Sequence, residues 1–242
     1  QLYDLDVDLG ETENVYAQHP QIVARLHQHA ARANPANIIV ILADDMGYGD
    51  SSVYGGWIQT PGLERMAREG MTLTDFHSSG VVCSPTRAGL LTGRYQQRAG
   101  IPGVVNADPQ HPDHDRFLKR DEVTFAELLR AAGYRTALFG KWHLGYDTAS
   151  NPVNHGFDEF RGFVSGNIDY HSHLDRMGNA DWWHGPELRQ RDGYVTELIT
   201  EDAVRFILFR RLAHHGLVHV GIKLIAGDRL DALHVLALQG RV

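Results

Sequence analysis

The sequence predicts an α/β fold in which a mainly parallel sheet is flanked by helices. Its 242 residues, 43% hydrophobic and 22% charged, have the composition of a globular protein with a substantial core. Helical and strand-like patterns alternate over residues 35–207, and this order is typical of parallel α/β sheets. We therefore expect one main folded region over 35–207, preceded by a separate segment, 1–34, and followed by an unassigned tail, 208–242.

Composition and charge argue against several classes of protein. The formal net charge is −7 and no basic block stands out, so we expect no nucleic-acid partner. No apolar run reaches the length of about 18 residues that a membrane span requires, and Gln1 opens no signal segment. We expect a cytosolic chain, a mature chain or a piece of a longer one. The single cysteine excludes an internal disulfide and a cysteine zinc site.

The first third of the chain contains several predicted elements. Apolar and acidic residues alternate over 2–12, which predicts a half-exposed strand. A short helix carrying Ile22, Val23 and Leu26 follows, and residues 30–35 have the composition of a linker. The continuous apolar run 37–42 predicts a strand buried on both faces of a parallel sheet.

Further elements follow along the chain. Residues 63–69 predict a helix that stops at Gly70, and 71–76 are expected to be extended. A capping box, Thr124 with Glu127, opens a helix that stops at Gly133. Residues 134–139 then predict a strand, 147–193 long surface loops, and 194–212 an amphipathic helix. The predicted apolar face of that last helix comprises Val195, Leu198, Ile199, Ala203, Phe206 and Ile207.

Two adjacent carboxylates, Asp44 and Asp45, follow the first predicted buried strand. Ligands of open α/β sheets bind beyond the carboxyl ends of the strands. Adjacent carboxylates repel unless a cation or hydrogen-bond donors neutralise them, and Ca²⁺ and Mg²⁺ take such oxygens. The pair is therefore a candidate metal site, and a polar turn that caps a helix is the alternative.

The only cysteine, Cys83, lies where a helix is predicted to begin. Pro85 suits the first turn of a helix that runs towards Gly93. Helix N-termini attract anions, and Arg87, one turn further on, can add hydrogen bonds to an oxyanion or orient residue 83. Alternatively, Cys83 is a small buried apolar residue.

Lys141 and His143 follow the second predicted buried strand. Because alternate residues of an extended segment point the same way, both side chains can reach one substrate. An ammonium beside an imidazole suits the transfer of an oxyanion; two exposed polar residues at a strand end are the alternative. We expect His171, His173 and His184, in the loop-rich stretch, to lie on the surface.

Two segments together resemble the type I sulfatases of the alkaline phosphatase superfamily. Residues 83–94, CSPTRAGLLTGR, match the first sulfatase signature, and 133–143, GYRTALFGKWH, match the second. Residues 37–50 are similar to the strand and metal loop that open the family's domain, although Gly62 stands where the family usually has Asn. The resemblance implies an alkaline phosphatase-like fold, incomplete in this chain, and hydrolysis of a sulfate ester on a small molecule or a glycan.

The resemblance also implies how the nucleophile forms and is held. A formylglycine-generating enzyme would oxidise Cys83 to formylglycine, whose hydrate attacks the sulfate, and Arg87 would hold that hydrate. Asp44 and Asp45, together with residue 83, would bind Ca²⁺. The tyrosine phosphatase loop, a rival cysteine chemistry, needs Arg six positions after Cys, whereas Arg87 is four after Cys83.

Three further residues receive roles from the same resemblance. Lys141 would bind sulfate, and His143 would bond to the hydrate and assist collapse of the covalent sulfate intermediate. Ser165 falls roughly where the family often has a substrate-binding serine. Sulfatases of this type commonly work in the periplasm, in lysosomes or outside the cell.

The resemblance ends near residue 207. Beyond it, the family's leaving-group acid and later metal ligands have no recognisable counterpart, while residues 1–34 resemble the C-terminal end of a sulfatase. Two alternatives therefore remain open. One is a truncated or fused remnant without activity, and the other is a phosphatase or phosphonate hydrolase of the same superfamily.

Overall fold

The computed structural model describes residues 20–21, 37–209 and 233–239. A six-stranded sheet in the order β1-β6-β2-β3-β4-β5 organises them, with α helices on both faces. This confirms the α/β class with flanking helices. The strands are β1 (Ile38–Ala43), β2 (Arg135–Lys141), β3 (Glu159–Phe163), β4 (Trp183–His184), β5 (Glu187–Leu188) and β6 (Leu233–Gln239).

The helices lie close to their predicted positions. The capping box is present: the Thr124 hydroxyl accepts from the Glu127 N–H, and the Glu127 carboxylate accepts from the Thr124 N–H. A left-handed glycine, Gly93, ends the second helix. The helices are α1 (Pro61–Glu69), α2 (Cys83–Thr92), α3 (Phe125–Ala131) and α4 (Val195–Phe209).

The sheet is mixed within the described part of the chain. β2 and β3 pair in parallel, as alternating helices and strands predict. The other described pairings are antiparallel, because β6 lies between β1 and β2 and the short strands β4 and β5 extend the opposite edge. The tail 208–242, from which β6 comes, carries no pattern that predicts this placement.

β1 differs from its prediction in burial. It forms where the apolar run predicts a strand, but Ile38 is 37% and Ile41 is 43% exposed. The reason is position: β1 is the first strand of the described sheet, and its described partner, β6, pairs antiparallel to it. The prediction that this strand is buried on both faces of a parallel sheet is therefore wrong for the described structure.

The central strand β2 separates two apolar cores. Leu138 packs in one core with α2 and α3, whereas Ala137 and Phe139 pack in the other with α4. This alternation follows from the two-residue period of a strand. All six predicted apolar positions of α4 are buried: Val195, Leu198, Ile199, Ala203, Phe206 and Ile207.

Residues 147–193 are more ordered than predicted. They contain β3, whose backbone is the parallel neighbour of β2, and the short strands β4 and β5. His171 and His184 are exposed as expected, but His173 is 4% exposed, so its surface prediction is wrong. Its Nε2 lies 2.9 Å from the Gly193 carbonyl, and its ring lies tilted beside Trp182 with the ring centroids 5.0 Å apart.

Between β1 and α2 the chain is open to solvent. Residues 71–76, predicted to be extended, form no strand, and α1 has no buried residue. The most exposed apolar side chains of the segment are Trp57, Met71, Phe76 and Val81, at 75–100%. Within the described ranges, no helix has the length and apolar character to cross a bilayer. The predicted strand over 2–12, the helix around residues 22–26 and the linker lie outside the described residues.

Candidate active site

Three segments that are distant in sequence meet at one cavity of about 520 Å³. The turn after β1 contributes Asp44 and Asp45, the first residue of α2 is Cys83, and the end of β2 contributes Lys141 and His143. The sequence predicts all five as site residues, and the structure brings them together. The cavity lies beyond the carboxyl ends of β1 and β2, as expected for α/β sheets.

Cys83 stands at the N-terminus of α2 and is half-buried. Val82 is the N-cap residue with an extended backbone, so the first free N–H groups of the helix surround residue 83. The partial positive charge of a helix N-terminus stabilises an anion there. The Sγ atom of Cys83 lies 3.1 Å from Nδ1 of His143, which places the imidazole against the candidate nucleophile.

His143 reaches the cavity through a left-handed backbone conformation, φ 58°. The backbone hydrogen bonds between β2 and β3 continue beyond the end of β2. Trp142 N–H donates to the Phe163 carbonyl, and His143 N–H donates to the Val164 carbonyl. Lys141 and His143 therefore share the cavity as predicted. The reason, however, is a left-handed turn and not a continued extended strand.

The hydrogen bonds of His143 fix its tautomer. Nε2 lies 2.8 Å from the Val105 carbonyl, which can only accept, so Nε2 carries the proton. Burial and the nearby Lys141 charge lower the pKa of His143 to about 3. The ring is therefore neutral at physiological pH, and the Nδ1 lone pair faces residue 83 as an acceptor.

Arg87 and Lys141 hold Asp44 in place. The Arg87 guanidinium donates to Asp44 Oδ2 at 2.9 Å and to the Lys141 carbonyl at 2.6 Å, and Lys141 Nζ donates to the same Oδ2 at 2.7 Å. Arg87 and Lys141 are 6% and 5% exposed. Arg87 thus ties the end of β1 to the end of β2, one helical turn beyond Cys83.

The two adjacent carboxylates share a hydrogen bond. Burial acts to raise the pKa of Asp44, but the bond with Asp45 and the Lys141 and Arg87 charges outweigh it and hold the pKa below its usual range. That bond and the Asp44 charge raise the pKa of Asp45. A hydrogen bond between two carboxyls needs a proton, which a cation can replace. Within the described residues, no cluster of three or more His, Cys, Asp or Glu side chains completes a metal shell.

Ser165, like Arg87, is a predicted site residue that does not line the cavity. It is 1% exposed, and its hydroxyl donates to the Asn167 carbonyl at 2.9 Å. Its neighbours Gly166 and Asn167 line the cavity instead. A Cβ on Gly166 would lie 2.6 Å from Cε1 of His143, so the close approach of this loop to the imidazole requires glycine.

Other cavity residues carry no sequence signal that marks them as functional. The Val105 carbonyl, which sets the His143 tautomer, comes from a loop between α2 and α3. Hydrophobic periodicity and short motifs do not reveal which loop residues fold over a site. The wall also includes Asn106, Tyr146, Asn167, Tyr170 and Arg176.

Comparison with known proteins places this geometry in a family. The Sulfatase family model matches residues 36–217, three quarters of the chain. The chain is 46% identical over 136 residues to arylsulfatase A of Bos taurus, which covers 54% of this chain and 26% of that protein. It is 36% identical over 194 residues to N-acetylgalactosamine-6-sulfatase of Rattus norvegicus, covering 74% and 37%.

Solved structures agree with this placement. Ps i-CgsB, solved in complex with k-i-k-neocarrahexaose, superposes with a TM-score of 0.63 at 26% identity, over 70% of this chain and 40% of that one. The PsFucS1 sulfatase from Pseudoalteromonas sp. gives a TM-score of 0.55 at 25% identity, over 81% and 45%. The chain spans between 25% and 38% of the length of the curated relatives it matches. It belongs to the sulfatase family.

Proposed function

We propose that this chain forms the nucleophile and sulfate-binding half of a sulfatase site that hydrolyses a sulfate ester of a carbohydrate. One observation carries the proposal. Sγ of Cys83 lies 3.1 Å from the Nδ1 acceptor of a neutral His143, in the cavity that also holds Lys141 and the acidic pair. Formylglycine is formed from Cys83 by a formylglycine-generating enzyme, and one hydroxyl of its hydrate attacks sulfur and displaces the alcohol of the ester. Collapse of the sulfated hydrate to the aldehyde then releases sulfate.

The chain's own residues divide the work of the reaction. His143 accepts a hydrogen bond from the residue-83 hydroxyl at Nδ1, because Nε2 is already committed to the Val105 carbonyl, and it assists collapse of the covalent sulfate intermediate. Lys141 presents a fixed positive charge to the sulfuryl oxygens, where charge develops in the transition state. Arg87 keeps Asp44 and the Lys141 backbone fixed relative to α2. Fixed geometry of this kind lowers the entropic cost of the reaction.

The acidic pair fits part of a Ca²⁺ site. Asp44 and Asp45, with an oxygen on the modified residue 83, would contribute ligands, because both carboxylates line the cavity that Cys83 also lines. Bound Ca²⁺ supplies positive charge that polarises the sulfate oxygens. Ca²⁺ takes about six to eight oxygen ligands, so these residues form one side of the shell.

The cavity supports a carbohydrate as the rest of the substrate. A volume of about 520 Å³ leaves room beyond one sulfate group, since pockets of this size bind molecules larger than a single anion. Asn106 and Asn167 offer amide groups to sugar hydroxyls. Two similar proteins point the same way by their names, N-acetylgalactosamine-6-sulfatase and Ps i-CgsB in complex with neocarrahexaose.

Turnover of an aryl sulfate tests the proposal. The chain co-expressed with a formylglycine-generating enzyme should hydrolyse 4-nitrophenyl sulfate in the presence of Ca²⁺. Cys83→Ala should abolish the activity, and the same chain made without the maturation enzyme is the matched control. Faster hydrolysis of 4-nitrophenyl phosphate would indicate a phosphatase of the superfamily. If the mass of residue 83 shows formylglycine and no turnover occurs, the chain is a remnant without activity.

A further inference from the structure

Resting on the proposed function, we propose that Arg176 binds a second anionic group of the substrate. The substrate class would then be a sulfated carbohydrate that carries another sulfate or a carboxylate. Arg176 is exposed and lines the same cavity as the deeply buried Lys141. Among the described residues that line the cavity, Lys141 is the lysine and Arg176 is the arginine.

The two cations differ in what already holds them. Lys141 is bound to Asp44 at 2.7 Å beside Arg87, so its charge is shared within the acidic site. Arg176 forms no ion pair with any carboxylate of the described residues. This exposed guanidinium in the wall of the cavity is therefore available to a ligand. Its planar fork binds carboxylate or sulfate through two parallel hydrogen bonds.

The carboxylate next to Arg176, that of Asp175, accepts hydrogen bonds from the backbone of its own turn. Asp175 Oδ1 accepts from the N–H groups of Met177, at 2.9 Å, and Asn179, at 2.8 Å. Asp175 also bridges to Ile168 across the loop. These bonds stabilise the turn that carries Arg176, and they pair the Asp175 carboxylate with backbone N–H groups.

The other carboxylates of this loop region are bound in the same way. Asp169 accepts from the His171 and Ser172 N–H groups and from the Ser172 hydroxyl. Asp181 accepts from the backbone of the β3 segment, at Val164 and Ser165. The acidic residues of this loop thus accept hydrogen bonds from backbone N–H groups and from the side chains of Ser172, Asn179 and Trp183. This arrangement favours an external anion as the partner of Arg176.

Arg176→Gln tests the proposal, with Arg98→Gln as the matched control. Arg98 is exposed, lies outside the cavity and forms no ion pair within the described structure. The matured chain is assayed with a monosulfated hexose, the same hexose carrying two sulfates, and a sulfated hexuronic acid at constant ionic strength. For Arg176→Gln, the ratio of KM for the doubly charged to the singly charged substrate should rise roughly threefold to tenfold.

The arms of the experiment separate the outcomes. A larger rise for the disulfated hexose identifies sulfate as the second anion, and a larger rise for the hexuronic acid identifies a carboxylate. An unchanged ratio, or an equal change in Arg98→Gln, overturns the proposal. Titration calorimetry on Cys83→Ala makes the same comparison without turnover. If that variant binds neither sulfated sugar, the proposed function itself fails. If it binds both with a ratio that Arg176→Gln leaves unchanged, only the role of Arg176 fails.

Discussion

Two cations, Lys141 and Arg87, donate to the same carboxylate oxygen of Asp44 in a region largely closed to water. Removing one partner of a buried ion pair is costly when it leaves a charge alone. Here Asp44 would keep Arg87 after the loss of Lys141. The ammonium is therefore more important for the substrate anion than for the fold.

Lys141→Ala should weaken anion binding while the chain stays folded. Since a hydrogen bond to a charged group contributes about 1.5–3 kcal/mol, we expect a loss of affinity for inorganic sulfate of roughly tenfold to a hundredfold. Titration calorimetry measures the affinity, and circular dichroism confirms the fold. The exposed Lys119→Ala is the control. Unfolding of Lys141→Ala would show that this residue is structural and would remove it from the site.

At this scale, sequence reasoning identifies the charged centre of the site better than its wall. Asp44, Cys83 and Lys141 sit in short motifs at element ends, where chemistry and position can be read together. Ser165 shows the limit, because a motif places the loop but not the direction of one hydroxyl. Arg176 belongs to a turn that lines the cavity although no local motif marks it as a site residue.

Among the elements, α3 depends on a capping interaction with two functions. The Thr124 hydroxyl accepts from the Glu127 N–H and donates to the buried His155 carbonyl at 2.8 Å. It thus closes the helix start and ties α3 to the loop before β3. The Glu127 carboxylate completes the box at the Thr124 N–H.

Thr124→Ala should destabilise the chain without changing the site. Loss of an N-cap costs about 1 kcal/mol, which corresponds to a decrease in Tm of roughly 2–4 °C for a chain of this size. Thermal unfolding followed by circular dichroism measures the shift. Thr72→Ala, at an exposed position, should leave the Tm unchanged. An unchanged Tm for Thr124→Ala would mean that the cap does not stabilise the fold.

The helices could be predicted and some strands could not, for a physical reason. α2, α3 and α4 carry caps, glycine stops or a 3.6-residue apolar period. β3, by contrast, alternates buried positions with Glu159 and Arg161, and these charged residues together with Gly162 obscure the strand pattern. β6 pairs on both sides in the sheet, but its partners lie about two hundred and one hundred residues away in sequence, a separation that local patterns do not encode.

For the molecule as a whole, a buried histidine links stability to pH. His155 is 0% exposed, and its ring lies against Trp142 with a centroid distance of 5.5 Å. Within the described structure, neither ring nitrogen has a hydrogen-bond partner. Burial and the charge of Arg120 lower the pKa of His155 to about 4.

Stability should therefore fall as the pH decreases from about 6.5 to 4. In this window the unfolded chain binds a proton at His155 and the folded chain does not, so protonation favours unfolding. Above pH about 6.5 both states are neutral and the dependence ends. Urea unfolding at a series of pH values measures the slope. His143 acts in the same direction, so His155→Phe should reduce the slope without abolishing it.

The control for this experiment is His184→Phe, at an exposed position, which should retain the full slope. An identical slope for His155→Phe and the unaltered chain would show that His155 is protonated in the fold. The stability of the His155→Phe variant at neutral pH is read separately. A change in packing alone alters the free energy of unfolding by the same amount at every pH and leaves the slope unchanged.

At the scale of the whole chain, the candidate site lies where three distant segments meet, next to a solvent-exposed stretch between β1 and α2. Both ends of that stretch are site residues, Asp45 and Cys83. Sequence motifs predict this convergence, because each marks the end of an element at one edge of a sheet. The order of the strands themselves could not be predicted.

The position of a bound sulfate tests the central claim most directly. A crystal structure of the matured chain with Ca²⁺ and inorganic sulfate should show the anion in the cavity, in contact with residue 83 and Lys141 and adjacent to Asp45. The ring of His143 should lie against the oxygen on residue 83. An anion bound elsewhere at saturating sulfate, with this cavity empty, would contradict the account.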